Sequence, residues 1–262
     1  MAVNNFLEPN RGDLSKYESH VWRSGMPDYT IANMAYCKGK TKNHMAGSLE
    51  LLVENLVKTW EMEASHVKDT SAWTTIDHAN YTASANGGKK FDLAEAAHVG
   101  NYNVLMDNTN KELYNAQEET FESSHHAFRN AFPEGFPWEL LEVMSGPPKV
   151  AFTWRHWASF AGEYRGHKGE GQLVEMYGFC VATVNESLKV QELEIYYKPE
   201  DFLRVLEGKA HASTLSHGKS LVGSGCPVMR HAAAANANGS GAAAHAIGVA
   251  NGSGVCPHSH GA

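Results

Sequence analysis

The sequence predicts an α+β fold in which helices close one side of a strongly curved antiparallel sheet. Three observations point there. Apolar residues recur at helical spacing in the first half of the chain, residues 138–197 read as four strands with short links, and one short helix follows them. In chain order, Ser48 is placed to cap a helix in which Leu49, Leu52, Leu56 and Trp60 share a stripe. Residues 92–107, opening at Asp92, and residues 117–131 make two further helical stretches. Residues 73–85 alternate loosely and end at Asn86-Gly87, the dipeptide favoured in tight hairpins. After Pro133 come segments 138–145, 150–161, 173–184 and 188–197, rich in β-branched and aromatic residues. Their separators are Gly146-Pro147-Pro148, the glycine-rich 166–171 and Asn185-Glu186, and strands joined by such short links pair antiparallel. Pro199 opens the last helix, which runs to Leu206 with Gly208 as its stop. Residues 1–47 show little periodicity and are expected to wrap the domain as an extended arm.

The chain has 262 residues, 42% hydrophobic and 19% charged, enough apolar material for a core. Its apolar runs fall far short of the roughly 20 residues that cross a bilayer, so no membrane partner is expected. The net charge of −7 comes without any basic stripe, which excludes a nucleic-acid partner. Four cysteines are too few for a disulfide framework, and the first residues lack a basic-then-apolar leader, so a cytoplasmic protein is expected. Composition changes sharply near residue 210. All 26 Trp, Tyr and Phe residues precede that point, and the last 52 residues contain 12 Ala, 9 Gly and 7 Ser with no Asp or Glu. Such a stretch cannot bury enough surface to offset chain entropy. The expected organisation is therefore an arm over 1–47, a domain over 48–208 and a flexible tail over 209–262.

Candidate chemistry comes from side-chain facing. In segment 150–160 the even positions Val150, Phe152, Trp154, His156, Ala158 and Phe160 share the apolar face, because successive side chains point to opposite sides. His156 is then either a satisfied core histidine or a proton-transfer group on a pocket floor. The next strand aligns Leu173, Glu175, Tyr177 and Phe179, setting a carboxylate among aromatic rings, where burial would raise its pKa. Glu192, Glu194 and Tyr196 share one face of the last strand and are either solvated or functional. On the helices, Glu63 turns towards the core beside Leu56, Trp60 and Val67, and His125 turns inward with Phe121, Phe128 and Phe132. Nucleotide-binding glycine loops, the HExxH zinc motif and the GxSxG elbow are all missing from the sequence. What remains is an apolar pocket working without a cofactor.

Several long segments in order carry a resemblance. They are LELLVENLVKTWEMEASH (residues 49–66), EETFESSH (118–125), FRNAFPEGFPWELLEVMSG (128–146), FTWRHWASFAGEYRGH (152–167) and VQELEIYYKP (190–199). Over roughly residues 15–208 the chain resembles the plant and fungal pathogen-related proteins, in the SnoaL-like group of the NTF2-like superfamily. The resemblance implies a cone-shaped α+β domain and, across the wider superfamily, acid–base or template catalysis on hydrophobic molecules, alongside members that only bind. No catalytic residue set of those enzymes maps onto this chain by motif.

The leading expectation is a cofactor-free enzyme of the cyclase, isomerase or dehydratase type. His156 would be its general acid or base, oriented by Glu175 or Glu194, and Trp154, Tyr177, Tyr196, Glu63 and His125 would shape its pocket. The alternative is a non-catalytic binder of a hydrophobic ligand in a defence or stress protein. In either case the partner is a hydrophobic small molecule, with a homodimer as a further possibility. A third expectation concerns the tail, where Cys226-Pro227 and Cys256-Pro257 resemble the haem regulatory motif. Haem or a metal would be held there by Cys226, Cys256 and His258; incidental cysteines and a Cys226–Cys256 disulfide are the competing readings. Deleting residues 211–262 is expected to leave the thermal midpoint of the domain nearly unchanged, because a stretch without aromatic residues offers little apolar area to bury. A loss of several degrees in a calorimetric scan would move the domain boundary.

Overall fold

A computed structural model describes residues 9–211. Its N-terminal part corrects the expected extended arm. Two short 3-10 turns, Leu14–Lys16 and Ser19–Val21, lead into helix α1, Thr30–Gly39. The sequence hid α1 because Tyr36 is its one buried residue, which leaves no apolar stripe to read. The preceding turns are also part of the core. Val21 and Trp22 are buried, and the Lys68 amide donates to the Val21 carbonyl at 2.8 Å.

Helix α2, Leu49–His66, begins as the sequence predicts, with the Ser48 hydroxyl accepting from the Leu51 amide at 3.2 Å. Its faces are used unexpectedly. The stripe of Leu49, Leu52, Leu56 and Trp60 is only partly covered, whereas Glu54 and Lys58 are buried; Glu63 is buried as the sequence predicts. The predicted second helix is two helices, α3, Leu93–Val99, and α4, Asn101–Leu105. Gly100 separates them at φ +88°, and a Cβ there would lie 2.7 Å from the Phe121 ring. Helix α5, Phe121–Ala131, starts four residues later than the spacing suggests, capped by the Thr120 hydroxyl.

The strands are β1, Thr82–Ala85; β2, Phe91–Asp92; β3, Trp138–Val143; β4, Lys149–Phe160; β5, Glu163–Tyr164; β6, His167–Lys168; β7, Gln172–Val184; and β8, Val190–Tyr197. One open sheet runs in the order β2-β1-β8-β7-β4-β3, and β5 pairs with β6 alone. All pairings are antiparallel except β1 with β8, which is parallel and joins the early hairpin to the late strands. Register shifts at Leu140/Glu142 and Thr183/Val184 bend the ladder. Residues of α2, α4 and α6, Pro199–Leu206, lie against the concave side, α6 following the last strand as the sequence predicts, whereas the end of α1 packs on Trp157 of the other face. Among the described residues no helix is long and apolar enough to cross a membrane.

A buried carboxylate ties the N-terminal turns to α2 and to the loop after it. Glu63 is fully buried and accepts from the Tyr17 hydroxyl (2.9 Å), from the amide and hydroxyl of Thr74, and from the amide and hydroxyl of Thr75. Substituting Glu63→Gln puts an amide donor against donors, so a loss of about 3 kcal/mol is expected, roughly 6–12 °C in the thermal midpoint of a domain this size. The exposed Lys90–Glu192 pair supplies the control: Glu192→Gln should change stability by no more than about 1 kcal/mol. Equal effects of the two substitutions would contradict this account.

Candidate functional site

The concave face of the sheet and helices α2 and α4 enclose an apolar cavity of about 120 Å³. β4 contributes Phe152, Trp154 and His156, β7 contributes Met176 and Cys180, and β8 contributes Leu193, Ile195 and Tyr197. From above come Val57, Trp60, Glu61 and Ser65 of α2, with Tyr102 and Leu105 of α4. Trp154 lies over Gly178, where a Cβ would sit 2.1 Å from the indole, so the glycine is what makes room for the ring. Burial pushes the Cys180 thiol far up, which leaves it an un-ionised apolar wall.

His156 stands where strand alternation placed it, with its ring in the cavity wall and Phe136 at 3.9 Å between ring centroids. Its Nδ1 is buried without a hydrogen-bond partner, and so is the Nε1 of Trp154. No carboxylate bonds the imidazole. Burial first, and then the charge of Lys58, push its pKa down to about 3 against a smaller upward pull from the Pro137 carbonyl. At neutral pH the ring is an uncharged donor or acceptor facing an apolar space.

The partners expected for it are elsewhere. In the β4–β7 register His156 opposes Met176, so Val174, Met176, Cys180 and Ala182 face inward and Glu175 and Tyr177 face out. Glu175 bonds Arg155 instead, its Oε1 lying 2.7 Å from Nη2, and Tyr177 is 47% exposed. Glu194 and Tyr196 also lie on the outer face, where the Tyr196 hydroxyl donates to Glu194 at 3.4 Å. The polar residue of β8 that reaches the cavity, beside Leu193 and Ile195, is Tyr197, which sequence reasoning passed over; its hydroxyl donates to the Leu105 carbonyl at 3.1 Å. Glu63 serves the network described above and lines no part of the cavity. Cys226, Cys256 and His258 lie outside the described residues.

His125 faces inward as expected, but into a second cavity of about 170 Å³ that has Glu61, Ser65, Tyr102 and Phe136 in common with the first. Its Nδ1 bonds the Phe121 carbonyl at 2.7 Å, its ring stacks on Phe121, and its Nε2 is buried without a partner. Lys58, His66, Arg11 and Arg129 line the same space. No sequence signal marked Lys58, since a helical lysine is ordinarily solvated.

No protein-family profile matches the chain. It is 38% identical over 219 residues to the "Pathogen-related protein" of Hordeum vulgare, covering 81% of this chain and 90% of that one. Among solved structures it is similar to a protein described as a SnoaL-like polyketide cyclase from Jannaschia sp. CCS1, with 12% identity, a TM-score of 0.35, and 65% of this chain and 99% of that one covered. It is also similar to a protein of ketosteroid isomerase-like fold from Catenulispora acidiphila, with 10% identity, a TM-score of 0.33, and 59% and 93% covered.

The histidines around these cavities give the protein a characteristic pH response. Burial holds His156 at about 3 and both His66 and His125 at about 4, against about 6.5 in an unfolded chain. Below pH 6.5 the unfolded state takes up protons that the folded state refuses, so stability falls as pH falls. The melting midpoint is expected to drop between pH 7 and 5.5, a window that lies above most carboxylate titrations. The drop should be shallower in His156→Gln, each such histidine contributing up to about 1.4 kcal/mol per pH unit. An unchanged slope would show that the imidazole charges freely in the folded protein.

Proposed function

The chain belongs to the pathogen-related protein family, and we propose that its domain binds an apolar, ring-bearing small molecule in the cavity over His156 and Trp154. The observation that carries this reading is the lining: aromatic and aliphatic side chains around a space with few polar groups, of which Glu61 is the single acidic one and His156 is neutral at pH 7. A cavity of about 120 Å³ is close to the roughly 150 Å³ that admits benzene into a dry engineered core. A larger ring system needs side chains common to the two cavities, Phe136 and Tyr102, to shift.

Catalysis of the cyclase, isomerase or lyase type is the second reading. The unpartnered Nδ1 of His156 supports it, since a reacting oxygen has a free ring nitrogen to meet. Two facts weigh towards binding. A general base works best with a pKa near the operating pH, and that of His156 lies near 3. No carboxylate is bonded to the ring to stabilise a transferred proton.

Trp60, Trp138 and Trp154 line the cavity and report occupancy directly. Titrating 2-naphthamide, a neutral bicyclic probe, should quench tryptophan fluorescence to saturation at one equivalent. Gly178→Val should drive the Trp154 indole into the cavity, cost about 1–3 kcal/mol of stability and weaken the probe by tenfold or more. A wild type that shows no saturable response would refute the reading. An unaffected variant would place the probe elsewhere.

A further inference from the structure

The ammonium of Lys58 is an anomaly that the apolar cavity does not explain. The residue is 2% exposed, and among the described residues no carboxylate lies within ion-pair distance of it. Its Nζ sits 4.6 Å from the Tyr36 ring and 5.6 Å from that of Trp138. Cation–π contacts of this kind recover only part of what an ammonium loses on leaving water. Of the nearby carboxylates, Glu54 is bonded to the Tyr36 hydroxyl at 2.5 Å and Glu139 to Arg155 and Thr41, while Glu61 lines the same cavity as Lys58 without forming an ion pair with it.

Lys58 opens onto the second cavity, and the other groups there point the same way. Arg11 and Arg129 bring two more positive charges, Glu61 brings one negative charge, and His66 and His125 are neutral above pH 5. A further buried donor at this cavity, Arg11 Nε, has no hydrogen-bond partner, whereas His125, whose Nδ1 donates to the Phe121 carbonyl, presents Nε2 as an acceptor. A space of about 170 Å³ lined by three cationic side chains and one acidic one carries a formal excess of positive charge. It adjoins the ring cavity, because Glu61, Ser65, Tyr102 and Phe136 line both and Trp138 carries Lys58 on its ring while lining the first.

We propose that this second cavity is an anion subsite, in which Lys58, with Arg11 and Arg129, takes the carboxylate of an aromatic acid whose ring fills the cavity over His156. This rests on the binding function proposed above and names its ligand class. The carboxylate supplies the counter-charge that Lys58 lacks, and its oxygens accept from the ammonium. A hydrogen bond to a charged group is worth about 1.5–3 kcal/mol, or roughly ten- to a hundredfold in affinity.

The experiment compares 2-naphthoate, ionised at pH 7, with neutral 2-naphthamide of the same shape, both followed by tryptophan fluorescence on the full chain. The acid is expected to bind the wild type at least tenfold more tightly than the amide. Lys58→Met should remove that preference while leaving the amide's affinity in place, and Lys58→Arg should keep part of it. Replacing an unpaired buried ammonium by an apolar side chain of similar length is compatible with folding, which a melting curve checks. Equal affinities of acid and amide in the wild type, or a preference unchanged in Lys58→Met, would overturn the anion subsite while leaving the ring cavity intact. No saturable binding of either probe would overturn both.

Discussion

The Arg155 guanidinium, held between Glu139 and Glu175, is the interaction on which the arrangement of the cavity depends. Arg155 is 6% exposed, with Nη1 donating to Glu139 at 2.8 Å and Nε donating to Glu175 at 2.8 Å. Its neighbour in sequence, His156, points to the other side of the sheet. Side-chain period in a strand is two, so a one-residue slip of β4 would carry His156 and Trp154 to the outer face and Arg155 into the apolar interior. The three charges on β3, β4 and β7 allow one register among those strands, because any slip leaves a buried charge unpaired. Nη1 of Arg155 also donates to the Gly39 carbonyl, and Glu139 accepts from the Thr41 amide, so the same cluster fastens the end of α1 to the sheet.

How far the sequence could be read follows from the same alternation. In β4 large apolar residues occupy one parity and Thr, Arg and Ser interrupt the other, so the inner face was legible and His156 was placed correctly. In β7 the two parities are both apolar, and the larger side chains, Leu173, Tyr177 and Phe179, are on the outside. On the inner face position 178 is a glycine because Trp154 occupies the space above it, a requirement set by another strand and invisible within this one. Facing inferred from size alone therefore inverted β7 and, with it, the expected partnership of Glu175 and His156. The β1–β8 parallel pairing and helix α1 were missed for related reasons: one depends on contacts between distant segments, the other buries a single residue.

Helix α2 shows why its stripe misled in part. An amphipathic helix ordinarily turns its leucines to the core and its charges to water. Here the leucine face borders cavities and is partly accessible, whereas Glu54, Glu63 and Lys58 are buried. Burying those groups is tolerated in proportion to the partners each finds. Glu63 has five donors, Glu54 has the Tyr36 hydroxyl, and Lys58 has only aromatic faces. The least satisfied of the three is the one that opens onto a cavity.

The helical repeat then explains why the two cavities lie side by side. Val57, Glu61 and Ser65 are spaced four apart, so they form a single ridge along α2 and border the ring cavity together. Lys58 lies one position round the helix from Val57, about 100° away, and His66 is displaced in the same sense from Ser65. These two therefore border the second cavity, and Glu61 and Ser65 line both. A ligand spanning the pair would present an apolar body to one flank of α2 and a polar head to the other. Neutral histidines on both sides leave Lys58, Arg11, Arg129 and Glu61 as the charges that decide which head is accepted. In the proposed site, shape would come from the concave sheet, and charge from Lys58 and Glu61 of α2 together with Arg11 and Arg129.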